Sequence, residues 1–339
     1  MWKGQEHASR PFWNAVRMWW ILRLSRRRVG QMAGGSKGAV HPGVRHLVGS
    51  SASGKGVLIN LVLVAAKMTA GILSGSVSLV ADGFNNLMDA AASVITWAGF
   101  KMAGKKADKE HPFGHGRYEY LAGLGTAVLI LVVGIELARS GVTEILHPTP
   151  LTLSPLLFVV LAGSILVKTW MAVYYGRLGR RMTSSALKAV SADSRNDALA
   201  TGAVLLSAAI FYWGDVQLDG WAAVVVALFI VQSGVGLVRE TISQLVGEAP
   251  DPELVDYISE KIARCDLVQG IHDLIVHDYG PGRRYVSAHV EMPDDEDPVV
   301  THGIIDAIER SFLEEDHIHL IIHYDPVPRD SKAGSRAGE

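Results

Sequence analysis

Cysteine and charge are both scarce in this chain of 339 residues. It contains one cysteine, Cys265, and 19% charged residues, against about 25% in soluble domains. A single cysteine excludes an internal disulfide framework and a thiolate metal cluster. The formal net charge of −2 excludes a strongly basic nucleic-acid binder. Because hydrophobic residues make up 49% of the chain and are bunched into runs, an integral membrane protein is the first interpretation.

Six runs approach the roughly 20 apolar residues that a helix needs to cross a hydrocarbon core about 30 Å thick. They cover approximately residues 56–74, 77–100, 120–140, 154–176, 192–213 and 220–238. Carboxylates interrupt the second and fifth runs. The sequence therefore predicts a bundle of six transmembrane helices, two of which carry acidic residues.

The distribution of lysine and arginine predicts the orientation of this bundle. These residues are concentrated in segments 101–119 and 177–188, whereas the alternate loops near 74–77, 141–153 and 214–219 contain none. Segments rich in lysine and arginine stay in the cytoplasm. We therefore expect a multi-pass protein of the inner or plasma membrane with both termini in the cytoplasm.

The region after the last run has the composition of a soluble domain. Its patterns predict, in order, a helix, two strands around Gly280-Pro281-Gly282, a second helix and a final strand. This order is typical of a small α+β domain with helices on one face of a sheet. We assign residues 51–245 to the membrane domain, 249–328 to this cytoplasmic domain and 329–339 to a disordered tail.

Residues 1–50 form a basic extension that is open to two interpretations. Arginines flank a short apolar stretch that contains Trp19 and Trp20, and Trp13 precedes it. One interpretation is an interfacial helix that lies on the anionic inner leaflet. The other is a disordered leader, with Met32 as the true start of the protein.

Acidic and amide side chains inside two of the runs are the strongest functional signal. Asp82, Asn85 and Asp89 are spaced i, i+3, i+7, and Asp193 and Asp197 are spaced i, i+4, so each set shares one helix face. An Asp at the centre of a membrane helix costs about 2.5–3.5 kcal/mol. These groups therefore indicate a cavity in which they bind a cation or share protons. The alternative, a carboxylate at a helix end, applies to Asp193 better than to Asp89.

Two lysines, Lys67 and Lys168, also lie within apolar runs. Long cationic side chains near helix ends reach the headgroups, and others pair with a neighbouring acid. We expect either behaviour here, with a role in packing or anchoring rather than in function.

Four segments, SGSVSLVADGFNNLMD, HPFGHGRYE, SADSRNDALATG and IIHYDP, resemble the cation diffusion facilitator family in the same order. The resemblance covers about residues 50–326. It implies a homodimer of six-helix protomers with a cytoplasmic ferredoxin-like domain, and export of divalent metal coupled to proton influx. It implies a secondary transporter rather than an enzyme, with the metal ion as substrate and no organic cofactor. A metal-sensing membrane scaffold that does not transport is the rival from another class.

The resemblance also implies a transport site built from two pairs of residues. The matching positions are Asn85 with Asp89, and Asp193 with Asp197. Zinc-transporting members resemble this pattern but usually carry His at the position of Asp193, so the present set is all oxygen. Such a set resembles the manganese-exporting branch and favours Mn²⁺, with Fe²⁺, Zn²⁺ and Co²⁺ left open. Asp82 matches an acidic position outside the ligand set, and we expect it to support the site or a helix contact.

Two further metal sites are implied outside the membrane. Asp108, His111 and His115 match a metal-binding loop, although loop histidines also occur without any metal. In the cytoplasmic domain, His272, His289, His323 and Asp325 match a metal cluster at a dimer interface, and His302 is a further candidate. The alternative is that these histidines cover an exposed sheet face and bind nothing.

Overall fold

The computed structural model describes residues 42–74, 77–147, 155–214 and 219–329. The interpretations of Trp13, Trp19, Trp20 and Met32, and of the tail after 329, lie outside these residues. The first six helices are α1 Pro42–Ser74, α2 Val77–Ala103, α3 Tyr118–Leu146, α4 Pro155–Met182, α5 Ser185–Gly214 and α6 Asp219–Val246.

The six predicted helices are therefore confirmed, and each continues beyond its apolar run. Helix α1 begins at Pro42, within the segment that we assign to the basic extension. Apolar runs mark only the part of a helix that faces hydrocarbon, because intrahelical hydrogen bonds continue equally well in water. Composition alone cannot locate such helix ends.

Four of these helices are long and apolar enough to span a membrane over the described residues. The spans are Arg45–Ala70, Tyr118–Leu146, Phe158–Met182 and Gly220–Val246, in α1, α3, α4 and α6. Helices α2 and α5 are not among them. They are the two that contain Asp89, and Asp193 with Asp197, as expected if their polar faces are covered by the other helices.

The bundle is built from three closely packed helix pairs, α1 with α2, α3 with α6, and α4 with α5. Helices α3 and α6 approach so closely that a Cβ atom on Gly220 would lie 2.8 Å from the carbonyl oxygen of Gly141. Small residues allow such contacts between membrane helices. Near the basic loops, buried Phe100, Met171 and Tyr175 form an apolar cluster that joins α2 to α4.

A buried ion pair joins α1 to the start of α3. Arg45 Nη2 lies 2.7 Å from Glu119 Oε1, and Arg45 Nε donates to Glu119 Oε2 at 3.0 Å. The same guanidinium also donates to the carbonyl oxygen of Met182 at the end of α4. Bidentate pairs of this kind fix geometry as well as charge. Three helix ends are thereby held together on the side of the cytoplasmic domain.

The predicted order of elements in the cytoplasmic domain is confirmed. Helix α7 Pro252–Ala263 is followed by strands β1 Gly270–Asp278 and β2 Arg284–Pro293, helix α8 Pro298–Ser311, a π-helical turn Phe312–Asp316 and strand β3 Ile318–Val327. Both α7 and α8 begin with an aspartate cap followed by proline, at Asp251 and Asp297. The sheet order is β1-β2-β3, with β1 antiparallel and β3 parallel to β2.

The two faces of this sheet differ in their environment. Along β2, Val286, Ala288 and Val290 are buried, and they pack in one core with Ile258 of α7 and with residues of α8. Alternate residues of a strand point to opposite faces. His289 therefore lies on the face that the helices leave open.

The loop between α2 and α3 is held against the cytoplasmic domain. Arg117 Nη2 donates to the carbonyl oxygen of Asp278 at 2.8 Å, and the Phe113 ring stacks on Tyr279 at 4.3 Å between centroids. Gly280, with φ of +111°, lies so close to Gly116 that a Cβ atom would collide with its backbone. The loop and the domain thus share a tight contact.

Candidate metal-transport site

Helices α2 and α5 bring the three predicted aspartates together. Asp89, Asp193 and Asp197 each contribute one carboxylate oxygen to a group in which these atoms lie within 4.8 Å of one another. The side chains of Asp89 and Asp197 are 4% and 11% exposed. Asp89 lies near the midpoint of α2, far from either helix end. The helix-end alternative therefore does not describe Asp89.

The two other predicted residues on α2 are less completely described. Asn85 lies one turn before Asp89, on the same side of the helix, and is half-buried. Asp82 lies in the first turns of α2, but its side chain is outside the described part of the structure. Asn85 is thus in the register that a fourth ligand needs, whereas the expected supporting role of Asp82 stays a prediction.

Lys168 of α4 lies directly between two of these carboxylates. Its Nζ donates to Asp89 Oδ2 at 2.6 Å and to Asp197 Oδ2 at 2.7 Å, and its side chain is 2% exposed. Of our two alternatives, local pairing is confirmed and reaching the headgroups is wrong. The ammonium contacts the candidate ligands themselves, so a role in helix packing does not exclude a role in the site.

A second buried lysine extends this charge network. In the amide orientation that satisfies both neighbours, Asn86 donates to Asp89 Oδ2 at 3.0 Å and accepts from Lys67 Nζ of α1 at 3.0 Å. Asn86 and Lys67 are 2% and 1% exposed. Three carboxylates and two ammonium groups therefore leave the cluster with one formal negative charge. Sequence reasoning did not assign these polar residues to the site, although a charge inside an apolar run was the available signal.

The loop residues Asp108, His111 and His115 also lie together. Asp108 Oδ1 is 3.5 Å from His111 Nδ1, and Asp108 Oδ2 is 3.4 Å from His115 Nε2. His115 is buried, and its Nδ1 lies 3.0 Å from the carbonyl oxygen of Lys106, which fixes the ring. The backbone N–H of His111 donates to Asp108 and holds the pKa of that carboxyl below its usual value. The group is a half-exposed set of mixed nitrogen and oxygen donors.

In the cytoplasmic domain, strand register aligns three histidines. His272 pairs with His289 across β1 and β2, and His289 pairs with His323 across β2 and β3. Asp325 Oδ2 lies 2.9 Å from His289 Nδ1 and 3.1 Å from His272 Nε2. The hydrogen bond from His289 lowers the pKa of the Asp325 carboxyl. A metal ion would find nitrogen and oxygen donors on an open sheet face.

His302 is not part of this group. It is exposed on α8, and α8 packs on the core face of the sheet. The three aligned histidines lie on the opposite face. Sequence spacing cannot distinguish the two faces when one residue is on a helix and the others are on strands.

Two family profiles match the chain over nearly all of its described length. The first, described as the cation efflux transmembrane domain, matches residues 56–246, and the second, described as the cation efflux protein cytoplasmic domain, matches residues 250–327. The chain belongs to the cation efflux family. It is therefore a multi-pass membrane transporter of cations with a cytoplasmic C-terminal domain, and not an enzyme.

Individual relatives agree with this membership. The cation-efflux pump FieF of Cronobacter sakazakii is 32% identical over 80% of this chain and 92% of its own length. FieF of Escherichia coli O127:H6 is 31% identical over 80% and 91%. An uncharacterized transporter of Methanocaldococcus jannaschii is 29% identical over 78% and 94%. Each likeness spans both the membrane and the cytoplasmic parts, so this cation efflux protein is similar to them as a whole.

Proposed function

We propose that this cation efflux protein exports divalent transition metal ions from the cytoplasm in exchange for protons, with Mn²⁺ favoured over Fe²⁺, Zn²⁺ and Co²⁺. The observation that carries the proposal is the meeting of Asp89, Asp193 and Asp197 near the middle of the bundle. Charged groups at this depth mark ion pathways. We assign Asn85 as the fourth ligand because it lies one turn before Asp89.

The choice of Mn²⁺ rests on the donor atoms. Carboxylate and amide oxygens suit harder ions, whereas imidazole nitrogen suits Zn²⁺. Mn²⁺ is the weakest binder of the first-row divalent series. Nitrogen ligands would increase the affinity of the site for Zn²⁺ relative to Mn²⁺ still further, and this site has none among its candidate ligands. Mg²⁺ also prefers oxygen but gives up its waters reluctantly. A zinc- or iron-selective exporter is the alternative within the family.

Proton coupling follows from the crowding of the carboxylates. Three negative groups lie within 4.8 Å of one another, and Lys168 and Lys67 still leave one formal negative charge that requires positive compensation in a medium of low dielectric constant. A divalent ion and protons are alternative sources of that compensation. Substrate that binds from the cytoplasm therefore releases protons, and protons from outside release the substrate as the helix bundle changes its opening.

The two clusters outside the membrane have supporting roles in this proposal. We assign Asp108, His111 and His115 to a loop site, and His272, His289, His323 and Asp325 to a cytoplasmic site at the interface of a homodimer. A cation at that interface would screen the repulsion between two acidic domains. A protein that stays monomeric at high concentration with saturating metal would contradict the dimer.

Metal flux in proteoliposomes tests the function. Purified wild-type protein and the Asp89→Asn variant are compared for Mn²⁺, Zn²⁺, Fe²⁺, Co²⁺ and Cd²⁺ uptake under an imposed pH gradient. The expected result is wild-type flux that is fastest for Mn²⁺, depends on the gradient and is lost in the variant. A metal-sensing scaffold would give no flux in either protein.

A further inference from the structure

The position of Lys168 along α4 removes the usual explanation for a lysine in a membrane helix. It lies 13 residues after Pro155 and 14 before Met182, which places it about 20 Å from either end at 1.5 Å per residue. Its side chain is also only 2% exposed and ends on two buried carboxylates, so it does not extend to the headgroups. Lys168 also shares one helix face with buried Ser164, Met171 and Tyr175. In this structure its ammonium therefore lies inside the bundle rather than at the headgroups.

Inside the bundle, the ammonium binds two of the carboxylates that form the candidate metal site. It lies within 2.7 Å of both Asp89 Oδ2 and Asp197 Oδ2. Both atoms belong to the carboxylates of the candidate transport site. A cation held between them would share its ligands with Nζ and would be repelled by a like charge at short range. Lysine and substrate therefore exclude each other from these oxygens.

The geometry points to Lys168 as a tethered cation that competes with the substrate for Asp89 and Asp197 and keeps monovalent cations out of the site. This inference rests on the proposed function of the site. Lysine suits the task because its charge is compact and its four-carbon stem is flexible, so it can leave and return. Asn86, which Lys67 holds in place, donates to the same Asp89 oxygen as Lys168, so the carboxylate keeps a partner when Lys168 leaves.

Discrimination between ions follows from charge. A divalent ion that displaces one ammonium adds a positive charge to a cluster that carries one net negative charge. A monovalent ion adds none, and it competes with a group whose tether gives it a high effective concentration. Sodium and potassium therefore gain too little electrostatic free energy to displace Lys168. A divalent ion gains enough to bind, and the competing lysine allows it to be released.

The test measures Mn²⁺ affinity by calorimetry on the full chain in detergent. A background with His111→Ala and His289→Ala weakens the two other clusters, so that the signal reports the membrane site. Lys168→Gln is compared in choline chloride and in potassium chloride. We expect its affinity to rise at least about tenfold in choline and to fall again in potassium, whereas the parent changes less than about twofold. Unchanged affinity, or affinity indifferent to potassium, overturns the inference.

Two further variants control this test. Lys188→Gln removes a lysine that is ion-paired with Glu240 at 2.6 Å, outside the carboxylate cluster, and it should behave like the parent. Lys168→Arg keeps the charge but offers a rigid fork that holds both carboxylates more firmly, so metal affinity should fall about tenfold. If Lys168→Gln does not fold, a folded Lys168→Arg with parental affinity overturns the inference.

The result is separable from the proposed function. A wild-type protein that binds Mn²⁺ but moves none across a vesicle membrane contradicts transport, while the effects of Lys168→Gln on affinity still decide the role of the lysine. Conversely, normal metal flux together with no effect of either Lys168 substitution on affinity supports the proposed transport function and contradicts the role of Lys168 as a tethered cation.

Discussion

The carboxylate group in the membrane and the histidine group on the cytoplasmic sheet differ most in how their charge is compensated. Asp89 and Asp197 are buried and held by Lys168, whereas His272, His289 and His323 are 44%, 38% and 68% exposed. Buried charges require partners inside the protein, because the cost of desolvation is large. Asp325, water and salt compensate the exposed group. We therefore expect a ligand in the membrane to compete with a buried ammonium, and a ligand on the sheet to compete mainly with solvent.

Removal of one buried carboxylate is the strongest test of this difference between the two groups. Asp89→Asn should lower metal flux at least about 100-fold, because it removes an anionic ligand and leaves Lys168 with one partner, a change of about 3 kcal/mol or more. Flux in proteoliposomes measures the effect. Asp273→Asn, at an exposed acid beside His272, is the control and should retain flux. Flux of Asp89→Asn within threefold of wild type would contradict the site.

Metal preference offers a second test of the membrane site. Asp193→His adds one nitrogen donor and lowers the negative charge of the cluster by one. The ratio of Zn²⁺ to Mn²⁺ flux should rise about tenfold, because imidazole favours Zn²⁺. Competitive uptake of the two ions in the same vesicles measures the ratio directly. A wild type that moves Zn²⁺ but not Mn²⁺, or an unchanged ratio in the variant, would locate selectivity elsewhere.

The contact between the loop and the cytoplasmic domain connects the two regions, and a single added methyl group should disturb it. Gly280→Ala forces a side chain into a positive φ and against the backbone of Gly116, at a cost of about 1–3 kcal/mol. Thermal unfolding should shift down by a few degrees, and flux should fall severalfold. Gly303→Ala, on open helix surface, is the matched control. Equal behaviour of the two variants would show that the contact is dispensable.

The smallest effect on transport is expected at the exposed cluster. His289→Ala removes the histidine that lies between the other two and that hydrogen-bonds to Asp325. Metal affinity of the cytoplasmic site should fall about 10–100-fold, while flux at saturating metal falls less than about threefold. Titration calorimetry and flux on the same preparation separate the two quantities. His302→Ala, the control, should leave both the affinity and the flux unchanged. If His289→Ala lost as much flux as Asp89→Asn, the two regions would be equally important for transport.

Much of this architecture is predictable because its signals are local. Six apolar runs predicted six helices, and alternation along β2 predicted a strand with one buried face. The spacing of Asn85 and Asp89, and that of Asp193 and Asp197, predicted which side chains share a helix face. The helix ends were not predictable from hydropathy, because the helices continue beyond their apolar runs. The separation of His302 from the other histidines was not predictable either, since it depends on packing partners distant in the chain.

The sequence by itself determined the membrane character, the order of elements and the chemical identity of the candidate ligands, because hydropathy and periodicity depend on neighbouring residues. Only the tertiary structure decided that Lys168 of α4 and Lys67 of α1 meet the carboxylates of α2 and α5. A lysine in an apolar run has the same local sequence signal whether it extends to the headgroups or turns inward. Its partners are 79 and 29 residues away along the chain, and helix packing alone brings their charges together.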